Sequence, residues 1–234
     1  MRMNFREENK NLNMISQAFL PIVIYYFISN LFVTAGFSIT QIVKTKAATE
    51  AFTQAHWFYA DTLIRISGMA LGGIAVYPYF KRENSDKESK RLSPKIALYL
   101  VGLGAMLSLG INFLFSVTGF TKSSEQYQQV AETQFALPLW LACIFYGVLS
   151  PVVEEMVFRG IVYRALCRST TNVIAIIGSA LLFGAFHGNV VQMLYAGIMG
   201  IGMAYIYQKY QSLWAPILFH GAANIAVYAV TYFF

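Results

Sequence analysis

The sequence predicts a polytopic bundle of transmembrane helices. Of its 234 residues 57% are hydrophobic and only 12% charged, and the mean hydropathy is +0.52, well outside the balance of soluble domains. The apolar runs are close to twenty residues long, the length of a membrane-crossing helix, whereas a β-barrel would alternate polar and apolar residues in stretches of about ten. All-α architecture with about seven spans in one membrane domain follows.

Residues 1–15 are polar and mixed in charge and read as a cytoplasmic tail. The run from Gln17 to Val43 exceeds a signal-peptide core and has no clear small-residue cleavage site, so it reads as a retained first span. Further spans are expected at about Trp57 to Phe80, Ile96 to Phe120, Phe135 to Ile161, Val173 to His187, Met193 to Tyr207 and Leu213 to Phe234. Gly68 with Gly72, and Gly184 with Gly188, are spaced to let helix backbones approach closely in lipid. Arg65, within the second span and four residues after Asp61, reads as half of a helical ion pair.

The formal charge is +6, but the basic residues lie between apolar segments rather than on one face, which excludes nucleic acid as a partner and points to topology and lipid. The loop Lys81 to Lys95 holds six Lys or Arg and the amino-terminal tail three, which puts both on the cytoplasmic side of a multi-pass protein, by expectation of the cell membrane. Alternation then leaves only Lys44, Lys46 and Lys122 outside. Cys143 and Cys167, two widely spaced cysteines, form neither a zinc motif nor a disulfide framework.

Ionisable residues at membrane depth are costly enough to mark function, and they cluster towards the carboxyl end. In SPVVEEMVFRG, Glu155 and Arg159 are four apart, acid before base, the favourable order for a helical ion pair. Glu154 points about 100° away and has no partner within its own segment. In LLFGAFHGN, Phe183 and His187 share a helix face; in LFHGAAN, His220 and Asn224 do. Two of three histidines thus fall in apolar spans near the paired glutamates, while His56 sits at the edge of the second span. Taken singly, each could be a hydrogen-bonded packing residue; together they suit one water-activating site.

These segments resemble the motifs of the CPBP (CaaX protease and bacteriocin-processing) or Abi family of intramembrane proteases, which includes the Rce1 type of CaaX prenyl-protein endopeptidase. EEMVFR at Glu154 to Arg159 resembles EExxxR, Phe183 to His187 resembles FxxxH, and His220 to Asn224 resembles the closing HxxxN. The resemblance implies an intramembrane endopeptidase in which Glu154 is general base and His187 helps hold the water. It also implies that His220 and Asn224 stabilise the oxyanion, with Glu155, Arg159 and Phe183 in support. The partners it implies are the bilayer and a membrane-associated peptide or protein; the oligomeric state is open.

No cofactor is expected, although two histidines and a glutamate are also a familiar zinc set; the absence of HExxH and the poor ligand Asn224 favour a metal-free glutamate mechanism. Other readings are a non-catalytic scaffold or bacteriocin-immunity protein, and a transporter with buried carboxylates, which would call for a repeat symmetry the sequence lacks. One difficulty is geometric. With straight spans ending as predicted, Glu154 lies about 28 Å down its helix, near the cytoplasmic face, and His187 about 21 Å up the next. A break at Ser150–Pro151, a steep tilt or a long, protruding fifth helix would bring them together, and a cavity opening to the cytoplasm is expected.

Overall fold

The structure, a computed structural model, describes residues 5–46, 54–85 and 89–233, with side chains described over 16–43, 59–85 and 89–233. Among these every regular element is helical. In chain order they are α1 (Phe5–Lys46), α2 (Gln54–Glu83), α3 (Pro94–Val117) and α4 (Glu125–Phe135). After them come α5 (Leu139–Cys167), α6 (Asn172–Ala185), α7 (Val190–Tyr210) and α8 (Trp214–Phe233). Six are long and apolar enough to cross a membrane, the exceptions being α4 and the short apolar α6. The chain is an integral multi-pass membrane protein.

Local signals set several boundaries. Ser93 caps α3, accepting from the Ile96 amide, with Pro94 at the first helical position where its missing N–H costs nothing. Thr171 caps α6 and Asn189 caps α7 in the same way. α4, not expected from the sequence, has a low hydropathy for this chain and is capped by Ser124. Most of the predicted polar tail continues α1 as helix from Phe5.

The helices pack as three pairs, α1 with α2, α3 with α8 and α6 with α7, around a central α5 that touches α2, α6 and α8. The glycine expectation holds at Gly68 and Gly72, where an added Cβ would lie 2.9 Å from the carbonyl oxygens of Ser29 and Tyr25 on α1. It holds at Gly184 too, where a Cβ would meet the Met193 carbonyl at 2.7 Å. Gly188 differs: nothing surrounds it, and its φ of +74° makes it the turn residue between α6 and α7, where a Cβ would be strained. Arg65 lies with its guanidinium 4.8 Å from the centre of the Phe37 ring, and the side chain of His56 falls outside the described residues.

α5 is irregular in two places, with π-helical turns at Phe145–Leu149 and Phe158–Tyr163. The first has a legible cause. Pro151 has no N–H to offer, and the Ser150 amide reaches back five residues to the Phe145 carbonyl. The Tyr146 carbonyl therefore loses both of its helical donors, one diverted and one absent.

Candidate active site

Glu154, His187, His220 and Asn224 line one cavity of about 260 Å³, together with Ser150 and Phe183. Their convergence does not need the broken or steeply tilted helix that the sequence suggested. α5 continues past Ile161 to Cys167, so the turn joining it to α6 lies further from Glu154 than the predicted span end. From that turn, Glu154 lies 13 residues up α5 and His187 15 residues beyond the start of α6, each about 20 Å at 1.5 Å per residue. The two are level, and Ser150–Pro151 widens a turn rather than ending the helix.

Glu154 is 15% exposed at its side chain, and His220 8%. Contrary to the expectation that Glu154 has no partner in its own segment, the Ser150 hydroxyl one turn earlier donates to Glu154 Oε1. The sequence reading treated Ser150 only as a helix start. Its i,i+4 spacing to Glu154 was the available signal. Glu154 Oε2 lies 3.8 Å from His220 Nε2, beyond hydrogen-bond reach and open to the cavity.

Glu155 and Arg159 are each 0% exposed. Arg159 Nη1 donates to Glu155 Oε1 at 2.9 Å, Nη2 donates to the Gly200 carbonyl at 3.0 Å on α7, and the guanidinium lies 4.6 Å from the Phe183 ring centre. A buried carboxylate is tolerable only when paired and hydrogen-bonded. Glu155 Oε1 has a second partner that the sequence did not foretell, His220 Nδ1 at 2.9 Å. The pair expected within one helix is thus a three-member chain that reaches α8 and fixes the imidazole.

His187 lies past the end of α6, in the turn, rather than on a helix face with Phe183. Its Nδ1 nonetheless meets the Phe183 carbonyl at 2.8 Å; a carbonyl only accepts, so Nδ1 carries the proton and the neutral ring keeps a lone pair on Nε2. Phe183 is buried and presents edges to both imidazoles, with ring centres 4.8 Å from His187 and 5.7 Å from His220. Asn224 Nδ2 donates at 2.9 Å to the Tyr146 carbonyl, the group freed by the π-turn. This contact fixes which end of the amide is nitrogen and leaves a second N–H.

Gln134, Gln192, Tyr195 and Asn224 also line a smaller cavity of about 80 Å³. That one shares Asn112, Tyr127 and Phe135 with a cleft of about 690 Å³ between α3, α4 and α8.

This multi-pass helical membrane protein thus gathers two adjacent glutamates, two imidazoles and a carboxamide at one cavity within the bundle. Residues 136–226, which contain every one of those groups, match the family described as type II CAAX prenyl endopeptidase, Rce1-like. The chain is also 29% identical over 132 residues to a Bacillus subtilis (strain 168) protein named "Putative membrane peptidase YdiL". That alignment covers 56% of this chain and 51% of the relative, so the chain spans about half the length of the curated relative it matches. Both matches support a CPBP-family protease, in the Rce1-like type, for the region that carries the motifs. No solved structure matches the chain.

Proposed function

We propose that this protein is an intramembrane endopeptidase that hydrolyses a peptide bond of a membrane-associated protein or peptide by a glutamate-activated water. The observation that carries the reading is the convergence of Glu154, His187, His220 and Asn224 on one cavity within the bundle.

The Ser150 hydroxyl holds one oxygen of Glu154 and leaves the other facing the cavity. That oxygen takes a proton from water while His187 Nε2 accepts the water's other hydrogen as a hydrogen bond, orienting it. The water oxygen attacks the scissile carbonyl carbon, and the negative charge passes to the carbonyl oxygen. Collapse of this intermediate breaks the C–N bond, and the proton on Glu154 goes to the leaving amine.

The oxyanion needs donors placed in advance. Asn224 offers the N–H not used on Tyr146. With Nδ1–H directed at Glu155, His220 donates from Nε2 only when both ring nitrogens carry a proton. Arg159 balances the charge on Glu155 and ties it to α7.

The chemistry is proposed to be metal-free. Among the described residues no group of three or more His, Cys, Asp or Glu is arranged to hold an ion, and the fourth site residue, Asn224, is a poor zinc ligand. The substrate is proposed to approach from the α4 side, and the loop from Lys81 to Lys95 to face the cytoplasm.

The test is hydrolysis of membrane-associated peptides by purified protein in liposomes, with comparative peptidomics of cells to name the substrate. Glu154→Gln is expected to abolish cleavage without changing thermal stability. Cleavage at the wild-type rate would remove Glu154 as base, whereas no cleavage by the wild-type protein would leave the scaffold or immunity reading. Wild-type cleavage should survive chelation with no bound metal detected; loss on chelation with return on zinc would assign these residues to an ion.

A further inference from the structure

A second polar cavity, of about 600 Å³, lies at the other end of the bundle from α4, where α2, α5 and α7 end beside the basic loop. Its lining includes Arg82, Arg164 and Arg168 against one carboxylate, Glu83, which leaves two positive charges in excess. The remaining lining is tyrosine, carboxamide and thiol, without an aliphatic side chain. Such walls suit a headgroup and not an acyl chain.

The arginines are not equivalent. The Glu83 carboxylate is buried, and it pairs with Arg168 through Oε2 and, at 3.4 Å, with Arg82 through Oε1; both guanidiniums remain about half exposed. Arg164 faces no carboxylate among the described residues. Its Nη1 donates to Asn84 Oδ1, and Asn84 in turn donates to the Gly160 carbonyl at 2.9 Å. Tyr207 lines the same cavity. The neutral Asn84 therefore orients this guanidinium and leaves its charge uncompensated. A smaller cavity of about 240 Å³ shares Arg164, Tyr207 and Gln211 and runs beneath Ser89. The loop is pinned above it by the Lys90 amide on the Gln211 carbonyl, 3.2 Å, and by Ser89 with Ser212.

Guanidinium forks matched to phosphate oxygens, at the end of spans on the side that bears the basic loop, are the arrangement that captures anionic lipid headgroups. We propose that the cavity framed by Arg82, Arg164 and Arg168 binds the phosphodiester headgroup of an anionic phospholipid. Arg164 is the central anchor, and Arg82 and Arg168 add contacts that Glu83 holds in place. This site is separate from the peptidase cavity and does not depend on its assignment.

The experiment uses the full chain in phosphatidylcholine nanodiscs with and without phosphatidylglycerol, reading lipid retention by native mass spectrometry and the thermal midpoint. Wild-type protein should retain phosphatidylglycerol over phosphatidylcholine and melt several degrees higher in its presence. Arg164→Gln should lose about tenfold of that preference, as expected for one charge-assisted contact, and the rise in its midpoint on adding phosphatidylglycerol should shrink accordingly. Arg82→Gln, at a half-exposed position that spares the Asn84 network, should lose about threefold, and serves if Arg164→Gln does not fold. Lys122→Gln, on the α4 side, should lose nothing. Equal retention of both lipids by wild type, or an equal loss in Lys122→Gln, would overturn the site. Inorganic phosphate that reproduced the stabilisation in pure phosphatidylcholine, with no lipid preference, would overturn the lipid as occupant.

Discussion

Glu155 illustrates how much one buried carboxylate can organise. It is fully enclosed, yet one of its oxygens serves Arg159 on its own helix and His220 on another. Glu155→Gln keeps the volume but withdraws the charge that offsets Arg159. Breaking such a buried pair costs about 3–5 kcal/mol, so a lower thermal midpoint is expected with a larger fall in kcat than rise in KM. Asn224→Ala tests the carboxamide: one preorganised donor is worth about a hundredfold or more in kcat, while the Tyr146 carbonyl is left without its donor. Equal kcat in this variant would remove Asn224 from the oxyanion site. His187 and Asn224 were legible because their residue types and spacings are unusual inside apolar spans. Ser150 was not read as a site residue, because serine at a helix start has a commoner structural role.

Helix α5 carries its irregularity from its sequence. Pro151 withdraws a donor, the Ser150 amide reaches Phe145, and the Tyr146 carbonyl turns to Asn224. Pro151→Ala returns an N–H that competes for the freed carbonyls. The expected result is a lower kcat with an unchanged or raised thermal midpoint, since the helix gains a bond where the site loses an orientation. A kcat equal to wild type would separate the π-turn from catalysis. Pro151 is visible in the sequence, but whether proline ends a helix or widens a turn depends on what neighbours satisfy the released carbonyls. The end of α5 lies beyond the predicted Ile161 for a similar reason. Polar Arg164 and Arg168 look like loop, yet Arg164 is helical and Arg168 caps the helix, where Asn84 and Glu83 at the end of α2 receive them.

Across the bundle, α8 is pinned on both sides of His220. An added Cβ at Gly104 of α3 would collide with the Phe219 carbonyl, and one at Gly221 would collide with the Gly147 carbonyl of α5. Small residues at these crossings set the depth and rotation of the imidazole between its neighbours, where lipid supplies no hydrophobic force to do so. Gly104→Ala is expected to destabilise by about 1–3 kcal/mol, as overpacking does, and to lower kcat with it by shifting His220. Thermal unfolding and peptide cleavage on the same preparation check both; an unchanged midpoint would mean that the crossing yields.

The sequence by itself determined that this is a bundle of membrane helices and which polar side chains are out of place in it. Hydropathy, helical spacing and motif order are properties of the chain alone. Only the tertiary structure decided that Glu154 and His187 stand at one depth, that Glu155 reaches across to His220, and that Asn224 turns to the Tyr146 carbonyl. Each of these depends on where a helix ends against its neighbours, and inside a bundle that boundary is set by partners on other helices, here Asn84, Glu83 and the glycines that let backbones touch, rather than by local propensity.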